Sequence, residues 1–119
     1  MIELLADFVV VLVALAHLGF LALEMFLWEK PLGLKIFRQT AEQAAATRVL
    51  AANQGLYNGF LAAGLLWGMI PAAHAGDVKI FFLCCVIVAG VYGAATVSRR
   101  ILWVQAAPAG LGLLLVLLS

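Results

Sequence analysis

Four long apolar segments constrain the fold of this chain more than any other feature. A helix needs about 20 apolar residues to cross a hydrocarbon core about 30 Å thick. Short polar connections separate four segments of about that length, which cover residues 4–27, 49–70, 80–97 and 101–118. With 66% hydrophobic and 11% charged residues among 119, the chain is also too apolar for a soluble domain of its size.

These segments predict an all-α protein, a single integral membrane domain built as a bundle of four transmembrane helices. Thr40 and Gln43 have the spacing of a capping box, so the second helix is expected to start near Ala41, before its apolar part. The predicted helices cover about residues 4–27, 41–70, 80–97 and 101–118.

Two local features modify this plan. Residues 34–37 combine apolar side chains with basic neighbours, which suggests a short segment lying on the membrane surface. Pro108 lies inside the fourth helix, where it is expected to introduce a kink or free a backbone carbonyl.

The basic residues indicate the orientation in the membrane. Six of the seven lie in or beside the first and third connections: Lys30, Lys35, Arg38, Arg48, Arg99 and Arg100. Lys79 alone borders the second connection. Because connections rich in Lys and Arg stay in the cytoplasm, both termini are expected on the outer side.

Composition and spacing exclude several classes of function. A net charge of +1 with no basic stripe excludes a nucleic-acid-binding protein. Cys84 and Cys85 are adjacent and point about 100° apart on a helix, so we expect packing residues rather than a zinc pair or redox motif. His17 and Glu24 alone supply too few ligands for a metal ion, so no metal site is predicted. The sequence leaves any cofactor unknown.

The second helix combines small, bulky and polar side chains. Small residues recur at every fourth position, which would let a neighbouring backbone approach closely: Ala51, Gly55, Gly59 and Ala63. Bulky residues on another side are expected to meet lipid: Leu56, Phe60 and Trp67. Gln54 and Asn58 border the small residues, so both amides are expected to face partner helices rather than hydrocarbon.

The first helix carries His17, Glu24 and Trp28 on one stripe. Ionisable groups inside a span are costly and usually face a bundle interior or water, so His17 and Glu24 are functional candidates. A neutral hydrogen bond between helices is the alternative for His17. Solvation of the carboxylate by interfacial water is the alternative for Glu24.

The polar side chains of the four helices share one leaflet. At about 1.5 Å per residue they lie within roughly 15 Å of the cytoplasmic surface. If they converge, they form a pocket open to the cytoplasm or the inner leaflet. The predicted ligand-binding residues are His17, Glu24, Trp28, Asn53, Gln54, Asn58, Tyr92 and Gln105.

Three long stretches resemble the bacterial membrane proteins called domain of unknown function 1304. They are LEMFLWEKP at 23–31, RVLAANQGLYNGFLAAGL at 48–65 and VIVAGVYGAATVS at 86–98. The resemblance covers almost the whole chain. It implies four spans in a bacterial inner membrane and brings no assigned activity.

The chain more remotely resembles the membrane-associated eicosanoid and glutathione metabolism (MAPEG) proteins. Arg48, Asn53, Tyr92 and Gln105 resemble residues of that family's second, third and fourth helices. The resemblance implies a MAPEG-like four-helix architecture and a homo-oligomer, a trimer by analogy. Residues 88–90 are Val, Ala and Gly where that family carries an arginine and a histidine, so glutathione binding is not implied.

Three functions remain open from the sequence. The first is a membrane protein that binds, or also transforms, a lipophilic or amphipathic small molecule, with Glu24 and Tyr92 as the groups able to transfer a proton. The second is a small proton-coupled transporter in which His17 and Glu24 form a relay. The third is a structural membrane subunit without a ligand.

Overall fold

The computed structural model describes residues 1–119, and it is entirely helical. Five α-helices follow one another with no strand: α1 Ile2–Met25, α2 Pro31–Phe37, α3 Ala41–Trp67, α4 Ala75–Thr96 and α5 Ala107–Leu118. A π-helical segment, Leu102–Ala106, leads directly into α5. The all-α prediction is therefore confirmed, and residues 34–37 lie within the short helix α2.

Several helix boundaries differ from the predicted ones. α1 ends at Met25 rather than 27, α3 ends at Trp67 rather than 70, and α4 begins at Ala75 rather than 80. The prediction missed the first turn of α4 because Asp77 and Lys79 are hydrophilic and fall outside an apolar segment. A helix nevertheless accommodates such residues in its first turns.

Two helices, α1 and α4, are long and apolar enough to cross a membrane by length and composition, and the shorter segment Leu102–Leu118 is also apolar. α3 is longer than either, but Asn53, Gln54 and Asn58 interrupt its apolar sequence.

The start of α3 has the predicted capping box. The backbone N–H of Thr40 donates to Gln43 Oε1 at 2.9 Å, and the backbone N–H of Gln43 donates to Thr40 Oγ1 at 3.1 Å. Two N–H groups that a helix start leaves without partners are thereby satisfied.

The disturbance expected from Pro108 is a π-helical segment rather than a simple kink. Pro108 has no N–H, so Val104 loses its usual helical donor, and the N–H of Ala107 donates to the carbonyl of Leu102 five residues earlier. α4 packs closely on this segment because Gly90 has no side chain. A Cβ there would lie 2.6 Å from the backbone nitrogen of Ala106.

The chain forms two compact units. The first consists of Met1–Leu15 and Leu61–Ser119, and the second of Ala16–Phe60. The apolar core of the first unit takes residues from α1, α3, α4 and α5: Ala6, Val9, Val10, Val13, Ala14, Leu65, Leu83, Val86, Ala109 and Leu115.

An ion pair adds a polar contact to the first unit. Lys79 Nζ lies 2.9 Å from Asp7 Oδ1, which joins α4 to α1. Gly68 makes room for this arrangement, since a Cβ there would meet Lys79 Cγ at 2.6 Å. The pair could not be predicted from the sequence, because 72 residues separate its partners.

The row of small residues predicted on α3 is partly wrong. Ala51 and Gly55 are buried, and Gly59 is half-buried, but Ala63 is exposed and Ala62 is fully buried instead. Steps of four residues drift by about 40° around a helix each time, so a buried stripe must alternate steps of four and three.

Candidate functional site

The three buried polar or charged residues of the chain all belong to the second unit. His17 is 1% exposed, Glu24 is 6% exposed and Asn58 is 8% exposed. Buried groups of this kind are rare because their desolvation is costly unless they are paired. The second unit therefore contains the candidate site.

Glu24 and Asn58 are joined directly. The side-chain amide of Asn58 on α3 donates to Glu24 Oε1 on α1 over 2.5 Å, and 34 residues separate the two along the chain. An ionised carboxylate offers about four acceptor positions, so this bond leaves acceptor capacity on Glu24. We call these two residues the carboxyl–amide pair.

Two glycines of α3 allow the helices to come close enough for this bond. A Cβ at Gly55 would lie 2.7 Å from Met25 Cγ and 3.1 Å from Glu24 Cβ, and one at Gly59 would lie 2.7 Å from Leu21 Cδ1. A side chain at Gly55 would therefore push α3 away from α1, whereas one at Gly59 would require the end of the flexible Leu21 side chain to move. The glycines place the Asn58 amide within reach of the carboxyl group.

His17 lies on α1 seven residues before Glu24, about 10.5 Å along the helix axis. Its ring contacts that of Phe20 edge to face, with centroids 5.1 Å apart. Because of this distance, we expect no direct contact between the imidazole of His17 and the carboxyl group of Glu24.

Trp28 serves as an anchor between helices. Its indole N–H donates to the carbonyl of Ala44 at 3.1 Å and lies 3.3 Å from Thr47 Oγ1. Its ring packs on Phe37 of α2 with centroids 4.8 Å apart. The indole N–H of this predicted ligand-binding residue is thus already bonded within the chain, a use that the sequence pattern did not indicate.

The turn between α1 and α2 depends on a close backbone approach. Gly33 is buried, and a Cβ there would clash with the carbonyl group of Leu27. Beyond the turn, an exposed ion pair links Glu29 to Arg48 over 3.7 Å. These contacts fix the chain around Trp28.

The other amides predicted for the site behave differently from Asn58. Asn53 and Gln54 are both exposed, and neither side chain is hydrogen-bonded within the chain. Within the single chain, Asn58 therefore faces another helix, whereas Gln54 does not. Four residues turn a helix by about 40° past a full turn, which is enough to carry Gln54 off the buried side.

Tyr92 and Gln105 belong to the first unit. Tyr92 is 70% exposed on α4, and its backbone carbonyl accepts a hydrogen bond from Thr96 Oγ1. Gln105 is half-buried within the π-helical segment. The remaining six predicted site residues belong to the second unit, where a side-chain hydrogen bond joins Glu24 to Asn58.

The structure contains no group of three or more His, Cys, Asp or Glu residues that could hold a metal ion. Cys84 is exposed, Cys85 is half-buried, and both are free thiols. The chemistry available in the second unit is therefore that of a buried carboxyl group, an amide and an imidazole.

Comparisons with known proteins identify a family to which no function has been assigned. The family described as "Protein of unknown function (DUF1304)" matches residues 11–117. A curated relative, "Uncharacterized protein YpaA" from Lactococcus lactis subsp. lactis (strain IL1403), is 27% identical over 105 residues, which cover 87% of this chain and 88% of the relative. No solved structure matches the chain.

Proposed function

The chain belongs to the DUF1304 family, and on that premise we propose that it is a membrane protein that binds a lipophilic or amphipathic small molecule at Glu24 and Asn58. The observation that carries the proposal is the hydrogen bond between these two buried side chains, which belong to different helices.

The free-energy cost of burying the carboxyl–amide pair supports a role in binding. A carboxyl group inside an apolar helix is expensive, and a well-packed apolar residue would stabilise the same position at least as well. Asn58 satisfies part of the acceptor capacity of Glu24, and a ligand carrying a hydrogen-bond donor would satisfy more. Leu21 and Met25, which pack against Gly59 and Gly55 beside the pair, suit the lipophilic part of such a ligand.

The proposed membrane arrangement has four spans: α1, the apolar part of α3, α4, and Leu102–Leu118. Both termini lie on the outer side of a bacterial inner membrane, because the first and third connections carry most of the basic charge. Glu24 then lies near the cytoplasmic end of α1, so the ligand enters from the cytoplasm or the inner leaflet. Membrane lipid surrounds the protein, which forms a homo-oligomer, a trimer by analogy with the MAPEG proteins.

A small proton-coupled transporter is the second candidate. It is favoured by the burial of His17 on the same helix as Glu24, since buried ionisable groups along one helix are typical of proton relays. The two candidates differ in a measurable way. A transporter moves protons together with its substrate across sealed vesicles, whereas a binding protein does not.

Mass spectrometry of molecules that co-purify with the protein tests the proposal. The wild type, Asn58→Leu, Glu24→Gln and Glu42→Gln are extracted with surrounding lipid into polymer discs. Glu42 is an exposed carboxylate near the start of α3, so it provides a matched control. We expect one amphipathic species to be retained by the wild type and Glu42→Gln, and to be depleted in the other two variants. Equal content in all four would contradict binding at the carboxyl–amide pair.

A further inference from the structure

Glu24 and Asn58 retain hydrogen-bonding atoms that the rest of the chain leaves unused. Their mutual bond occupies Oε1 of Glu24 and one N–H of Asn58. Oε2 of Glu24 and Oδ1 of Asn58 have no hydrogen-bond partner within the chain. Among residues that are not exposed, Gln39 Nε2 is the only side-chain nitrogen or oxygen that is both sealed from the surface and without a partner. The two free oxygens of the carboxyl–amide pair are therefore accessible.

The unused atoms of the pair mostly accept hydrogen bonds. A carboxylate accepts at about four positions and an amide oxygen accepts as well, whereas Asn58 keeps a single N–H as a donor. Each free oxygen shares a carbon atom with one end of the hydrogen bond, so both belong to one small site. A ligand group that satisfies both oxygens needs more than one N–H or O–H. A hydroxyl has only one, whereas a protonated primary amine has several.

No basic side chain of the chain neutralises Glu24. The two ion pairs join Glu29 to Arg48 and Asp7 to Lys79, and Glu24 takes part in neither. A carboxylate that is 6% exposed on an apolar helix is costly without a positive partner, and a cationic ligand would supply that partner. Protonation of the carboxyl group is the other way to remove the charge, and it would give no preference for a cation.

We propose that the ligand of the carboxyl–amide pair is an amphipathic primary amine, whose protonated nitrogen donates to Oε2 of Glu24 and Oδ1 of Asn58. This inference rests on the proposed function, because it names the chemical class of the molecule bound at that same site. A hydrogen bond from a cation to a carboxylate is roughly twice as strong as a neutral one. Leu21 and Met25 lie beside the pair, where they suit the apolar chain of the amine.

Native mass spectrometry in a neutral detergent tests the charge of the ligand. The probes are dodecylamine and dodecanol, which share one hydrocarbon chain and differ in the polar end. We expect the wild type to bind dodecylamine about tenfold more tightly than dodecanol, since hydrogen bonds to charged groups are the stronger ones. Equal affinities, or tighter binding of the alcohol, would overturn the inference.

Two glutamate variants show whether the preference arises at Glu24. Glu24→Gln keeps an oxygen that accepts from Asn58 but removes the charge, so its preference for the amine should fall below about twofold. Glu42→Gln removes an exposed carboxylate near the start of α3 and should keep the full preference. A preference that survives in Glu24→Gln would show non-specific attraction of the amine, and would overturn the inference.

Dodecyltrimethylammonium separates hydrogen bonding from charge. It carries the same positive charge as protonated dodecylamine but has no N–H to donate. We expect it to bind the wild type about tenfold more weakly than dodecylamine, because Oε2 of Glu24 and Oδ1 of Asn58 stay unsatisfied. Binding as tight as that of dodecylamine would show that charge alone decides, and would overturn a primary amine as the ligand.

Asn58→Leu separates the amine from the proposed function. Dodecylamine and dodecanol that bind the wild type equally, and are both lost in Asn58→Leu, would overturn the amine and leave binding at the pair intact. A co-purified species that depends on Asn58, with no binding of dodecylamine, would have the same meaning. If neither probe binds the wild type better than Asn58→Leu, and no co-purified species depends on Asn58, the inference and the proposed function are both overturned.

Discussion

Asn58 is the residue on which the buried carboxyl group of Glu24 depends. Replacing one partner of a buried hydrogen bond leaves the other unsatisfied, which typically costs about 1–3 kcal/mol of stability. We expect Asn58→Leu to lose stability in this range in a denaturant titration in mild detergent. Glu24→Gln should lose less, because the new amide still accepts a hydrogen bond from Asn58. Equal losses in the two variants would mean that the hydrogen bond contributes little.

At the scale of single residues, the sequence predicted correctly that two ionisable side chains of α1 turn inward. His17 and Glu24 are both buried. It could not predict which amide of α3 would reach Glu24, because the choice between Gln54 and Asn58 depends on the rotation of α3 about its axis. The spacing of small residues constrained that rotation only loosely, as the exposed Ala63 shows. The partners of Trp28 were unpredictable for a similar reason, since they depend on how the chain turns through α2.

Gly55 decides how closely α1 and α3 approach. A Cβ added at this position would lie 3.3 Å from the carbonyl oxygen of Leu21, a backbone atom that cannot move aside easily. We expect Gly55→Ala to cost about 1–3 kcal/mol of stability through overpacking, and to weaken the bond between Glu24 and Asn58. Thermal unfolding followed by circular dichroism would measure the loss.

Gly19 provides the matched control for this substitution. It lies on α1, and a Cβ there would meet no atom within 4 Å. Alanine forms helix better than glycine by up to about 1 kcal/mol, so Gly19→Ala should be neutral or stabilising. A similar loss of stability at Gly19 and Gly55 would indicate a general effect of helix composition, and would contradict a specific close approach at Gly55.

At the scale of helices, capping and proline chemistry were the most predictable features, because they depend on neighbours in the sequence. Thr40 and Gln43 form the expected box, and the helix changes its hydrogen-bonding pattern before Pro108. The start of α4 was less predictable because a search for apolar segments does not detect helical turns made of polar residues. The ion pair between Asp7 and Lys79 could be predicted only from the tertiary packing of α1 and α4.

At the scale of the whole molecule, composition predicted an apolar all-helical chain, and the five helices confirm that class. Hydropathy alone identifies α1 and α4 as helices able to cross a membrane. α3 carries the amides of the candidate site, and these same amides lower its hydropathy. A helix that carries several amide side chains is therefore identified less well by composition than a uniformly apolar one.

The proposed orientation makes a direct prediction about the two ends of the last span. Ser98 lies beside Arg99 and Arg100, and Ser119 lies at the far end of α5. Because the basic pair should stay in the cytoplasm, single cysteines at the two serines should react with a membrane-impermeant maleimide from opposite sides. The reaction is measured on intact and on opened vesicles in the background without Cys84 and Cys85.

Ala73 provides the internal control for that experiment. It is exposed in the connection between α3 and α4, which the orientation places on the outer side with Ser119. Ala73→Cys should therefore label from the same side as Ser119→Cys, and from the side opposite to Ser98→Cys. Labelling of all three positions from one side would leave no room for four spans. Labelling of Ser98→Cys from the outside and Ala73→Cys from the cytoplasm would instead invert the orientation, and would place the carboxyl–amide pair in the outer leaflet.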